Sequence, residues 1–190
     1  MACASLILVA LKVFSFEAER RGAEEVVAID SYPGSVRRFN ICRGTLNSRA
    51  TAFLTNVYDL HPRTFGTFDL VLFFGVLYHL RHPLLALEKI HGICSGTLLM
   101  QTHGYEDPSL GEASVAKFHP FGIESGPADK PRFDPTAFWV PNAACTRDML
   151  LHVGFVDVEK IAPGPGAIFC ASAPQRSKGT PPNPAKAPWS

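Results

Sequence analysis

Seven positions carry the residues from which chemistry could be built: Asp30, Asp59, the Phe74–Gly75 pair, Tyr78 with His79, and His103. Each stands at or just after the end of an apolar run that reads as a β-strand. In an open parallel sheet, ligands bind where the carboxyl ends of the strands meet the loops that follow. An acid ending a second strand can accept both hydroxyls of a ribose. An acid after a third strand can accept the amino group of an adenine, and Gly75 would permit close backbone approach. Together these residues describe a nucleoside-shaped slot with two imidazoles beside it. Each also has a plainer reading, since Asp30 or Asp59 alone can be a turn or helix cap and His79 alone a surface residue. The pair Arg37-Arg38 is too short to mark a nucleic-acid face.

The elements that must position these residues alternate between strand and helix. SLILVAL reads as a first strand and FSFEAERRG as a helix closed by Gly22. EEVVAID is a short strand ending in Asp30, followed by SYPG as a turn. A helical stretch near residues 36–47 leads to ATAFLTNVYD, a strand candidate ending near Asp59. FDLVLFFGV is apolar almost throughout, as a central parallel strand covered on both faces must be. Pro83 opens LLALEKIHGIC, where Leu84, Leu85, Leu87 and Ile90 make a helical stripe, and GTLLMQTH is the next strand. CTRDMLLHVG is a helix with Thr146 as N-cap and Gly154 as terminator, and FVDVEKI and AIFCAS make a final pair of strands. The rhythm predicts an α/β fold: a doubly wound, Rossmann-like sandwich with a mostly parallel central sheet and a terminal antiparallel strand. Residues 104–141, rich in Gly, Pro, His and aromatic residues, break the rhythm and read as a long connection of the kind that either shapes a site or is disordered.

Composition bounds the partners. The chain has 190 residues, 46% hydrophobic and 18% charged, with 15 glycines, 16 prolines and a formal net charge of +1. This is a globule without an overall field that would steer nucleic acid or membrane toward it. Cys3, Cys42, Cys94, Cys145 and Cys170 are scattered and form no CxxC pair, so neither a disulfide framework nor a zinc site is expected, and a reducing, cytoplasmic location is. No group of His, Asp and Glu has metal-ligand spacing. The opening run MACASLILVAL is too short to cross a bilayer. The domain is expected over residues 4–172, with 173–190 a disordered, Pro-rich tail.

The segment FDLVLFFGVLYHLRHPLLALEKIHGICSGTLLMQTH resembles the fourth-to-fifth-strand region of class I S-adenosylmethionine-dependent methyltransferases. More narrowly, it is similar to the family of the tRNA wobble-uridine (5-oxyacetic acid) carboxymethyltransferase, FGVLYHLRHP being the specific part. FSFEAERRGAEEVVAID, NVYDL, FWVPN and CTRDMLLHVGFVDVEKI extend the likeness over about residues 13–171. The resemblance implies S-adenosylmethionine as cofactor and a tRNA nucleoside or small molecule as acceptor. It implies that Asp30 holds the ribose, that Asp59 and Leu60 line the adenine pocket, and that Phe74 and Gly75 lie beside the cofactor. Tyr78 would reach the methionine moiety, while Trp139, Pro141 and Asn142 would wall the acceptor side. His79, or else His103, is the base if the acceptor starts protonated.

One departure bears on activity. Members of that family carry an acidic, glycine-rich first motif before FSFEAERRGA, and an N-terminal region before it. Here the motif positions hold Leu6, Leu8, Val9, Ala10, Leu11 and Lys12. A truncated or mis-started product, or a degenerate paralogue, is therefore expected, with weakened cofactor binding. The alternative function is a non-catalytic methyltransferase-like domain that binds a protein or RNA. A nicotinamide oxidoreductase is disfavoured because no GxGxxG follows the first strand.

Overall fold

The structure is a computed structural model that describes residues 5–9, 14–125, 132–162 and 168–174. Ala10, Leu11 and Lys12 of the first motif and the expected tail from residue 175 lie outside the described residues.

Five parallel strands form most of a seven-stranded sheet: β1 (Ser5–Val9), β2 (Glu25–Asp30), β3 (Thr51–Leu54), β4 (Phe68–Phe74) and β5 (Cys94–Gln101). Two insertion pairs follow, β6 (Ala116–Phe118) with β9 (Trp139–Pro141) and β7 (Ile123–Ser125) with β8 (Arg132–Asp134). The sheet is completed by β10 (Val156–Ala162) and β11 (Ile168–Ser172), giving the order β10-β11-β5-β4-β1-β2-β3. The terminal strand β11 is antiparallel to both neighbours and sits between β5 and β10 rather than at the edge. Strand order reverses between β1 and β4, which makes their carboxyl ends the topological switch point. Leu6, Leu8 and Val9 are residues of β1, in register with β2 and β4.

Alternation along the strands explains why helices cover both faces. Val27 and Ile29 of β2, with Val71 and Phe73 of β4, enter one apolar cluster, whereas Val26 and Ala28, with Leu72, enter the other. Helix α1 (Phe14–Arg20) and helix α2 (Pro33–Leu46) close the second cluster through Phe16 and Phe39, whose rings stack at 4.8 Å. A short helix α3 (Pro62–Phe65) follows β3. Helix α4 (Pro83–Ile93) and helix α5 (Ala143–His152) cover the first cluster with Leu87, Ile90 and Leu150, all fully buried.

Several boundaries differ from the sequence reading. Pro33 does not make a turn but opens α2, because a helix's first positions need no backbone N–H and the ring presets φ. The strand expected through Asp59 ends at Leu54, after which Val57–Asp59 forms a 3-10 turn with Asn56 capping it. On α4 the buried face is Ala86, Leu87, Ile90 and Ile93, while Leu84 and Leu85 in the first turn are exposed. Thr146 is not the N-cap of α5: the helix starts earlier, and Asn142 accepts the Cys145 N–H at 2.8 Å. Thr146 lies buried inside the helix with its hydroxyl donating to the Asn142 carbonyl at 3.0 Å. Gly22 and Gly154 do terminate α1 and α5, both with positive φ.

Candidate functional site

At the β2 end, Asp30 is half-buried and its Oδ1 accepts the Tyr32 N–H at 2.8 Å. That turn uses one carboxylate oxygen. The Asp30 carbonyl accepts the Thr55 N–H at 3.1 Å, fastening the β2 end to the segment after β3. A crevice of about 90 Å³ lies between them, with Asp30, Ser31, Asn56, Val57, Val76 and Leu80 among its walls. Asp59 is exposed and does not line this crevice, and Leu60 is 1% exposed within the apolar core. The 3-10 turn explains the shift, since the chain turns back at Val57 and brings Asn56 and Val57 to the slot instead.

The β4 end supplies the switch-point backbone. Gly75 has φ 70, a left-handed conformation that an L side chain adopts only at a cost, and its N–H donates to the Gln101 carbonyl at 3.0 Å. The Phe74 ring meets Phe14 edge-on at 5.5 Å, so the start of α1 packs against the same strand end.

The side chains after β4 and β5 converge. The Tyr78 ring lies 4.2 Å from the His79 ring and 4.2 Å from the His103 ring. The insertion completes the group: His79 Nδ1 is 3.0 Å from Thr136 Oγ1, 3.2 Å from the Thr136 carbonyl and 3.9 Å from Asp134 Oδ2. Asp134 Oδ1 in turn accepts the Thr136 hydroxyl at 2.6 Å and the Thr136 N–H at 2.8 Å. The Phe138 N–H donates to the Tyr78 carbonyl at 2.7 Å, tying the insertion to the loop after β4.

Electrostatics follow from this packing. Burial pushes the Tyr78 phenol up, and the Asp134 charge pushes it the same way. Burial pulls His103 below its ordinary value, with His79 adding to the effect and Asp134 opposing it. Burial opposes ionisation of Asp134, but the two Thr136 hydrogen bonds and the imidazoles outweigh it, so its pKa lies below the usual carboxylate value. The group is a carboxylate, a neutral phenol and two imidazoles, able to hold and move a proton.

The sequence points to Tyr78, His79 and His103 but not to Asp134 and Thr136, which lie in a stretch without strand or helix periodicity. The available signal was Asp-Pro-Thr, whose spacing suits an Asx turn closed by a hydroxyl. Trp139 packs on Phe118 at 4.8 Å, Pro141 is buried, and Asn142 caps α5. The Asn142 amide is held on both sides, since Oδ1 also accepts the Val115 N–H and Nδ2 donates to the Ala113 carbonyl. Asn142 also borders a second cavity of about 500 Å³ at the start of α5, walled by Tyr105, Asp107, Arg147, Lys160 and Phe169 among others. Among the described residues no cluster of His, Cys, Asp or Glu could hold a metal ion, and no helix is long and apolar enough to cross a membrane.

No protein-family model matches the chain, and no curated protein is similar to it by sequence. Solved structures are similar in fold. The N-terminal domain of EvdMO1 with SAH bound shares 19% identity at a TM-score of 0.69, over 90% of this chain and 75% of that one. The 1,6-didemethyltoxoflavin-N1-methyltransferase of Burkholderia thailandensis, with its substrate and S-adenosylhomocysteine bound, shares 15% at 0.62, over 90% and 71%. Magnesium protoporphyrin IX methyltransferase from Synechocystis with bound SAH shares 14% at 0.62, over 89% and 74%. The chain therefore has the Rossmann-like fold of class I S-adenosylmethionine-dependent methyltransferases.

Proposed function

We propose that this protein is an S-adenosylmethionine-dependent methyltransferase acting on a small organic acceptor. The observation that carries the reading is the placement of the half-buried Asp30 carboxylate, the positive-φ Gly75 and the Tyr78–His79–His103 group along one carboxyl edge of this sheet. The Asp30 carboxylate suits the ribose of the cofactor, while the crevice beside it, about 90 Å³, must open further to take an adenine. Asp30 keeps Oδ2 outside its turn hydrogen bond and borders a crevice whose other walls include Val57 and Val76. Asp30 would hold the ribose hydroxyls, the apolar crevice walls would flank the adenine, and Phe74 would pack beside them. Tyr78 would face the methionine end.

When bound, the sulfonium supplies an electrophilic methyl group. The chain's contribution is then alignment and exclusion of water, because an in-line displacement gains most from holding donor and acceptor together. The Tyr78 ring, held between two imidazoles, and the insertion over it would form the walls of that space. A small acceptor is favoured over tRNA by the net charge of +1 and by the substrates named for the similar enzymes.

The test is incubation of the chain with methyl-labelled S-adenosylmethionine and, separately, a small-metabolite extract and total tRNA. Label is expected in the small-molecule fraction. Label in tRNA alone would replace the acceptor class and restore the narrower resemblance. Label in neither, from a folded chain that also fails to bind the cofactor, would leave the non-catalytic interaction domain.

A further inference from the structure

The atoms around His79 fix where its proton sits. Asp134, ionised at neutral pH, can only accept, and its Oδ1 stands 2.6 Å from Thr136 Oγ1. The single hydroxyl proton of Thr136 therefore points at Asp134. What Thr136 Oγ1 offers His79 Nδ1, at 3.0 Å, is a lone pair. The other neighbour of Nδ1 is the Thr136 carbonyl at 3.2 Å, which also only accepts. Both partners of Nδ1 are acceptors, so in the neutral ring Nδ1 carries the hydrogen and Nε2 the lone pair.

We infer that Asp134, Thr136 and His79 form a carboxylate–hydroxyl–imidazole relay that makes His79 Nε2 the general base for methyl transfer to an acceptor bearing an O–H or acidic N–H. This deepens the methyltransferase reading and rests on it. His79 is the catalytic residue, and Thr136 and Asp134 are positioning residues that act through it. The step balances: the acceptor's lone pair forms the bond to the methyl carbon, the carbon–sulfur pair leaves on sulfur, and the acceptor's proton passes to Nε2. The resulting imidazolium is offset by the Asp134 carboxylate 3.9 Å from Nδ1, and the proton then leaves to water. The groups facing His79 are Tyr78 on its own turn, His103 after β5, and Asp134 and Thr136 on the insertion. Arg81 lies on the same segment, its guanidinium over the Phe138 ring at 5.6 Å. Among the described residues no carboxylate–hydroxyl pair anchors His103, and burial disfavours its charged form, which suits a wall rather than a base.

Nitrogen-resolved NMR of the full chain, with His79 assigned by comparison with His79→Gln, reads the tautomer above the titration range of imidazole. The native protein is expected to show the Nδ1–H form. Thr136→Val should move His79 toward the Nε2–H form, and Thr136→Ser should restore it. In the labelled-methyl assay, His79→Gln should lower transfer by about 100-fold or more, with cofactor affinity unchanged. A native Nε2–H tautomer, a tautomer indifferent to Thr136→Val, or undiminished transfer in His79→Gln would each overturn the relay, even in a chain that binds S-adenosylmethionine. The stated tautomer in a chain that binds no S-adenosylmethionine would instead overturn the underlying reading, and the base role with it.

Discussion

The two halves of the sheet's carboxyl edge are built differently. At the β2–β3 end, the candidate group comes from the strand end itself: Asp30 is part of β2, its carboxylate accepts the Tyr32 N–H, and its carbonyl accepts the Thr55 N–H. At the β4–β5 end, Tyr78, His79 and His103 follow the strand ends, and Asp134 and Thr136 arrive from an insertion, Thr136 standing 57 residues from His79 in sequence. The first half is a shape with one carboxylate; the second is a set of coupled titratable groups. Binding a constant nucleoside needs only the former, whereas a variable acceptor needs a wall that can change without disturbing the sheet.

The largest perturbation should erase the difference between the halves. Phe73 is fully buried under both, so Phe73→Ala should cost about 3–5 kcal/mol, read by urea unfolding, with loss of both functions. Asp30→Ala should separate them. Losing a hydrogen-bonded charge costs about 1.5–3 kcal/mol, so titration should show cofactor affinity falling about 10- to 100-fold, with the His79 tautomer untouched. Gly75→Ala should strain the positive-φ turn after β4 by roughly 1–2 kcal/mol, visible as a lower thermal midpoint.

Smaller effects sharpen the electrostatic side. The folded protein lowers the pKa of His103, so the unfolded chain binds the proton more readily and stability falls as pH drops from about 7 through the ordinary histidine range. His103→Gln should flatten that part of the urea-midpoint profile, and Asp30→Ala should not. The least effect belongs to Glu17, which Arg20 and then Arg21 hold at about 2 from an ordinary 4.5. Its contribution is present at neutral pH and disappears only as pH falls toward 2. Because both arginine partners are exposed and the pair lies at the surface, Glu17→Gln should leave the neutral midpoint unresolved from native.

The same contrast explains what the sequence made legible. The segments EVVAID, FDLVLFF and CSGTLLMQ are β2, β4 and β5 because buried parallel strands must be apolar on both faces, a signal that survives in one sequence. Asp30, Gly75, Tyr78, His79 and His103 inherited their placement from those strands. Asp59 and Leu60 did not, because a 3-10 turn re-aimed the chain in a way hydrophobic periodicity does not encode. Asp134 and Thr136 were hidden for another reason. Their role depends on a non-local docking of the insertion, through hydrogen bonds from Phe138 to Tyr78 and from His79 to Thr136, that no local pattern announces.

If the proposed function holds, this edge of the sheet binds S-adenosylmethionine through Asp30. Calorimetric titration of the 190-residue chain with S-adenosylmethionine and S-adenosylhomocysteine, beside Asp30→Ala, tests it directly. Saturable binding to the native chain that weakens in the variant is the predicted result. A folded native chain that takes up neither ligand at millimolar concentration, or binds both equally well without Asp30, would contradict it.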